Sequence, residues 1–116
     1  KTCLDGFKYD LKRASGVICN SGFELNSECI HLGVPILTKP IKGQMEQESN
    51  ALAIKQLGLG DVMQDLELSR IQQWLHHLPT IQEKKTPDVA KAIVNWLLTE
   101  NKLPIEDFSR TLWAKV

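Results

Sequence analysis

Apolar residues along this chain follow two different patterns. Apolar runs at residues 17–19 and 34–38 are typical of buried strands, whereas apolar residues spaced three or four apart predict helices around and after them. The predicted helices cover residues 7–14, 23–32, 47–57, 68–78 and 87–100, with a terminal helix within 104–116 that ends near Trp113. Residues 61–63 are predicted as a very short edge strand.

Turn and cap residues mark several of these boundaries. Gly33 follows the second predicted helix and suits the left-handed conformation that commonly ends a helix. Thr86 and Pro87 suit the N-cap and the first turn of the helix at 87–100. The polar residues 82–86 show no apolar periodicity and are the predicted linker.

The order of these elements predicts the fold class. A helix between two strands makes them a parallel pair, and about two to three such strands alternate here with about six helices. The chain is therefore predicted to be an α/β, partial Rossmann-like domain, since a complete doubly wound sheet has more strands. The chain also begins at Lys1 rather than at a methionine, so we expect residues 1–116 to be a fragment, the later part of such a domain.

Composition excludes several classes of function. The 14 basic and 14 acidic side chains give a net charge of zero, which argues against a nucleic-acid partner. No apolar run approaches the roughly 18 residues of a membrane-spanning helix. Three cysteines without a CxxC spacing fit a reducing compartment, so we expect a cytoplasmic protein, one that can be peripheral to a membrane at full length.

Candidate ligand-binding residues follow the first predicted strand. In an open parallel sheet, ligands bind beyond the carboxyl ends of strands, where helix N-termini attract anions. Gly22 lets the backbone approach a phosphate closely, and Asn20 and Ser21 can donate hydrogen bonds to its oxygens. Glu28, one to two turns into the next helix, can accept hydrogen bonds from the two hydroxyls of a ribose.

The loop after the second predicted strand, within residues 41–50, carries amide and carboxylate groups that suit sugar hydroxyls. Residues that suit a sugar, a diphosphate and a ribose side by side indicate a binding site for a nucleotide sugar. Purely structural explanations compete with each assignment: a glycine after a strand is often only a turn, and Glu28 alone fits a solvated helix surface. Cys19 and Cys29 are predicted to be small core residues, because no histidine is placed as their general base.

Several short motifs between residues 7 and 63 together resemble a known family. They are Asn20-x-Gly22, Ser27-Glu28, Gly33-x-Pro35, Pro40 and Glu46-Gln47-x-x-Asn50-Ala51. Their order and spacing resemble the C-terminal, donor-binding domain of glycosyltransferases with the two-domain GT-B fold. The chain is most similar to the transferases that add N-acetylglucosamine to the peptidoglycan precursor and to their uncharacterised relatives.

The resemblance implies a nucleotide-sugar substrate, UDP-linked, with no cofactor and no metal site. The implied contacts are the donor diphosphate for Asn20, Ser21 and Gly22, the ribose for Glu28, and the transferred sugar for Glu46, Gln47 and Asn50. The catalytic base of such enzymes belongs to the N-terminal acceptor domain. We therefore expect no catalytic residue in this chain, no activity from this chain alone, and an acceptor domain as its partner.

Two other functions remain open at this point. A nucleotide-sugar epimerase of the same fold shares the glycine turn before a glutamate, but it usually has paired glutamates where this chain has Ser27-Glu28. The other is a non-catalytic donor-binding subunit of a split glycosyltransferase. On any of these hypotheses a truncated sheet exposes an apolar edge, so we expect the fragment to self-associate.

Overall fold

The computed structural model describes residues 4–81 and 86–114. Its elements are α1 Leu4–Arg13, β1 Val17–Asn20, α2 Phe23–Leu32, β2 Ile36–Lys39, α3 Met45–Gln56, β3 Asp61–Val62, α4 Leu68–His76, α5 Val89–Leu98 and α6 Ile105–Trp113. Six helices and a parallel sheet of three strands confirm the predicted α/β class. The chain divides into two compact units, 1–84 and 85–116. Of the predicted linker 82–86, only Thr86 lies within the described residues.

The three strands are all parallel and lie in the order β1-β2-β3. Val17 pairs with Ile36, and Thr38 pairs with Val62. Among the described strands, β1 pairs with β2 alone, so one of its edges is open. The expected self-association through such an edge stays a prediction.

The central strand β2 is buried on both faces. Ile36 belongs to one apolar cluster, with Leu11, Cys29 and Val34. Leu37, the next residue, belongs to a second cluster, with Met63 and Trp74. Because successive side chains of a strand point to opposite faces, these two clusters are the cores on the two sides of the sheet.

The end of α2 explains why β2 starts later than predicted. Gly33 adopts the predicted left-handed conformation, with φ 69°. The N–H of Val34 then donates to the carbonyl of Cys29 at 2.9 Å and closes the helix. Val34 therefore belongs to the helix cap, and the strand begins two residues beyond it, at Ile36. The helix predicted at 47–57 begins earlier, at Met45.

The second unit contains α5 and α6. Asp88, and not Thr86, is the N-cap of α5, since its carboxylate accepts a hydrogen bond from the Lys91 N–H at 2.9 Å. The prediction of Thr86 as the N-cap was wrong because the acidic side chain two residues later satisfies the first turn and also suits its dipole. Trp96 and Phe108 pack together, with ring centroids 5.5 Å apart.

Within residues 4–81 and 86–114, no helix is both long enough and apolar enough to cross a membrane.

Gly16, just before β1, tests the packing of α4 against the start of this strand. A Cβ atom at Gly16 would lie 2.6 Å from Cη2 of the buried Trp74 and 3.1 Å from Cδ2 of Leu78. We expect Gly16→Ala to lower the free energy of unfolding by about 1–3 kcal/mol, the usual cost of overpacking, in a urea titration. Ser15→Ala, at the exposed residue beside Gly16, is the control. Equal losses in both variants would contradict this packing.

Candidate functional site

A groove of about 610 Å³ lies beyond the carboxyl end of β1. Its walls come from the end of β1 and from the first turns of α2 and α3. The lining residues are Cys19, Asn20, Gly22, Phe23, Glu24, Leu25 and Glu46. Three of the predicted site residues, from two different strand-to-helix loops, therefore lie around one groove: Asn20, Gly22 and Glu46.

The N-terminus of α2 opens onto this groove. Gly22 is the N-cap, with φ −67° and ψ 149°, and it forms no side-chain cap hydrogen bond. The first N–H groups of a helix have no acceptor within the helix, and the dipole there is positive. A glycine N-cap brings no oxygen of its own to these groups, so they suit an anionic ligand.

Ser21 is completely buried, and its side chain faces the sheet rather than the groove. Its hydroxyl lies 2.9 Å from the hydroxyl of Thr38, which in turn donates to the carbonyl of Cys19 at 3.2 Å. Because a hydroxyl has one hydrogen, Ser21 donates to Thr38. The side chain of Ser21 is thus committed inside the protein, and Ser21 is not on the lining of the groove.

Asn50 connects α3 to the turn after β1. Its Nδ2 donates to the carbonyl oxygen of Ser21 at 3.0 Å, across 29 residues of sequence. Asn50 lines a separate crevice of about 160 Å³ between α2 and α3, and is absent from the lining of the groove. The contact that this structure shows for Asn50 therefore holds the turn in place.

Gln47 and Glu48 hold the loop that precedes α3. Oε1 of Gln47 accepts a hydrogen bond from the N–H of Ile41 at 3.0 Å. Oε1 of Glu48 accepts one from the N–H of Gly43 at 3.1 Å, where the glycine has φ 78°. Since the Gln47 carbonyl is used in this way, its NH₂ group is the part that can donate to a ligand.

Glu28 lies in the middle of α2 and is exposed. It lines a second depression, of about 250 Å³, with Lys8, Leu11, Lys12, His31 and Leu32 of α1 and α2. Glu28 is not on the lining of the groove. Leu25 of the groove lies three residues before Glu28, however, and residues three apart are neighbours on a helix surface.

The lining of the groove is acidic. Sequence reasoning missed Glu24, which joins Glu46 there, and none of the described lining residues is basic. A diphosphate in the groove would therefore depend on backbone N–H groups rather than on a lysine or arginine of this lining. The described residues also contain no group of three or more His, Cys, Asp or Glu side chains able to hold a metal ion.

The two described cysteines are not activated nucleophiles. Burial, followed by the proximity of Cys19 and Glu28, raises the pKa of the Cys29 thiol to about 11. Burial also raises the pKa of Cys19, and a hydrogen bond with Thr38 offsets part of this effect. Both thiols are therefore protonated at neutral pH, and Cys29 is confirmed as a core residue.

Asn26 is the buried polar residue that sequence reasoning missed. It lies inside α2, is 3% exposed, and donates through Nδ2 to the carbonyls of Asn20 at 3.1 Å and Gly22 at 2.6 Å. The sequence did contain one signal of this role. Asparagine is unfavourable inside a helix, and Asn26 follows the turn glycine by four residues, about one helical turn.

Comparison with known proteins identifies the family of this chain. The sequence profile of the family described as glycosyl transferase family 1 matches residues 1–79, which is more than half of the chain. The chain belongs to glycosyl transferase family 1. This result confirms the predicted resemblance to glycosyltransferases at the level of the family, and all the predicted site residues lie inside the matched segment.

One relative of the chain is an uncharacterised glycosyltransferase of Methanosarcina acetivorans. It is 37% identical over 59 residues, which cover 51% of this chain and 15% of that protein. The chain thus spans only a small part of the length of this relative. No solved structure matches the chain.

The hydrogen bonds of the loop before α3 can be tested one at a time. We expect Gln47→Ala to speed hydrogen exchange at the Ile41 amide and Glu48→Ala to speed it at the Gly43 amide. The increase should reach about tenfold, because a hydrogen bond contributes about 0.5–1.5 kcal/mol net. Each variant is the control for the other, measured by nuclear magnetic resonance. Exchange that rises equally at both amides in both variants would mean that the loop unfolds as a whole.

Proposed function

We propose that this chain is the donor-binding part of a GT-B glycosyltransferase that takes a sugar from a UDP-linked donor. The remainder of the protein would bind the acceptor and supply the catalytic base, so this chain alone would be inactive. The observation that carries the proposal is the convergence of Asn20, Gly22 and Glu46 on one groove at the N-terminus of α2. Family membership supports transfer of a sugar over the epimerase alternative.

The diphosphate would lie at the turn after β1. Gly22 leaves open space where any other residue would place its Cβ atom, so the backbone can approach phosphate oxygens closely. The first-turn N–H groups of α2 would bind these oxygens, with the positive end of the helix dipole behind them. Asn20 lines the same groove and can add a side-chain donor.

The transferred sugar would lie toward α3. Glu46 is exposed on the groove and can accept hydrogen bonds from sugar hydroxyls. Gln47 would donate through its NH₂ group while its carbonyl keeps the bond to Ile41. Asn50 lines the crevice rather than the groove, so it would support the sugar site indirectly, by holding the turn through its bond to Ser21.

The ribose would lie over the surface of α2. Leu25 in the groove and Glu28 in the second depression are three residues apart, so a nucleoside that follows this face can reach both. The Glu28 carboxylate can accept from both ribose hydroxyls at once. The proposal includes no cofactor and no metal, and it places the protein in the cytoplasm.

Substitution of Gly22 tests the diphosphate contact. We expect Gly22→Ala in the intact protein to weaken UDP binding about tenfold or more, which corresponds to about 1.4 kcal/mol, because the new methyl group would occupy the space of the phosphate. The fold should tolerate the change, since Gly22 has an ordinary φ of −67° and no atom within 4 Å of a Cβ. Calorimetric titration with UDP measures the affinity. Unchanged UDP affinity would remove this turn from the site.

Ribose recognition tests Glu28. Charge-assisted hydrogen bonds contribute about 1.5–3 kcal/mol, so we expect the intact protein to bind UDP about tenfold more tightly than its 2′-deoxy analogue. Glu28→Ala should weaken UDP binding and nearly erase this preference, and Glu28→Gln should lie between. Glu67→Ala, an exposed glutamate at the N-cap of α4, is the control and should keep the preference. Equal affinities for both nucleotides in the unmutated protein would exclude a contact between Glu28 and the ribose hydroxyls.

A further inference from the structure

We propose that Asn26 is a positioning residue of the donor site. Its side-chain amide holds the carbonyl oxygens of Asn20 and Gly22 away from the groove and so presents backbone N–H groups to the donor diphosphate. This inference rests on the proposed donor-binding function and adds to it a residue that does not itself touch the ligand.

The first step concerns the hydrogen bonds of the Asn26 side chain. Both described Nδ2 contacts go to backbone carbonyls of the turn, Asn20 at 3.1 Å and Gly22 at 2.6 Å. Oδ1 accepts from the thiol of Cys19 at 3.4 Å. A buried amide is costly unless it is hydrogen-bonded, and all three partners here belong to the end of β1 or to the turn that follows. The side chain is therefore fitted to the shape of that turn.

The second step is the geometry of the peptide planes. The described peptide bonds are all trans, so each carbonyl points opposite to the N–H of the next residue. When Asn26 binds the carbonyls of Asn20 and Gly22, the N–H groups of Ser21 and Phe23 point away from Asn26. Asn50 binds the carbonyl of Ser21, which likewise turns the N–H of Gly22 away from Asn50.

The third step is the side of the turn on which these bonds lie. Asn26 and Asn50 both line the crevice between α2 and α3, and neither lines the groove. The three carbonyls therefore point toward the crevice. The N–H groups of Gly22 and Phe23 point away from these bonds, and both residues lie on the wall of the groove as well as on that of the crevice. The N–H of Ser21 faces the Lys39 carbonyl of β2 in the parallel register, and Ser21 is not on the lining of the groove.

Because the lining of the groove is acidic, the orientation of these peptide planes decides whether the groove can bind an anion. With Glu24 and Glu46 on the groove and no basic residue among its described lining, backbone N–H groups are the donors that α2 offers to an anion. A peptide plane that flipped would replace one of these donors with a carbonyl oxygen, which repels a phosphate. Without the Asn26 amide, the Gly22 carbonyl would lose the bond that prevents such a flip of the Gly22–Phe23 peptide.

The test compares UDP with uridine in the intact protein. Asn26→Asp has the same shape but lacks the NH₂ group, and Asn26→Ser keeps at most one donor. We expect both variants to bind UDP about tenfold or more weakly, equivalent to about 1.4 kcal/mol, and uridine within about twofold of the unmutated protein. Calorimetric titration measures the affinity for UDP, and competition with UDP measures the affinity for uridine. Ser27→Ala is the control, because its hydroxyl bonds only the carbonyl of Phe23, beyond the turn.

The outcomes separate this inference from the proposed function. Equal losses for UDP and uridine would show a general structural role for Asn26 and overturn the inference, as would unchanged UDP binding. If the unmutated protein binds neither ligand, the donor-binding proposal fails, and the inference fails with it. One measurement needs no variant: the amide resonances of Gly22 and Phe23 should shift on addition of UDP and not of uridine. Their failure to shift would overturn the role of Asn26 even if UDP binds.

Discussion

Thr38 is a polar residue in the middle of a strand that is buried on both faces, and its hydroxyl must be hydrogen-bonded where it lies. It accepts from the hydroxyl of Ser21 and donates to the carbonyl of Cys19, so the central strand holds both the end of β1 and the turn after it. The position of the groove follows from this constraint. Because the turn is bonded through the buried Ser21 to the most buried strand of the sheet, it is anchored to the core although Asn20 beside it is exposed.

Sequence patterns predicted the features that depend on neighbouring residues, namely the helices, the strands and the end of α2. The apolar runs and spacings predicted six helices and a small parallel sheet, and Gly33 marked the end of α2 because a left-handed residue there has few alternatives to glycine. Asp88 shows the limit of such reasoning. Thr86 and Asp88 are both good N-caps, and only the observed bond to Lys91 decides between them.

The candidate site was less predictable, because its contacts join distant parts of the chain. The motifs predicted Asn20, Gly22 and Glu46 by their positions after strands, and the sheet brings these residues to one groove. No pattern could predict that Asn50 binds the carbonyl of Ser21, since 29 residues separate them. Asn26 and Ser21 were also hidden, because a polar residue that points inward looks in the sequence like one that points outward.

The hydrogen bonds of Asn26 and Asn50 reach the turn from residues that line the crevice, while Asn20 lines the groove and not the crevice. The shape of the turn and the chemistry of its groove-facing surface are therefore specified by different residues. A substitution at Asn20 can change the chemistry of the groove without rebuilding the backbone beneath it. A turn held from behind in this way is a scaffold on which new specificities can evolve by single substitutions.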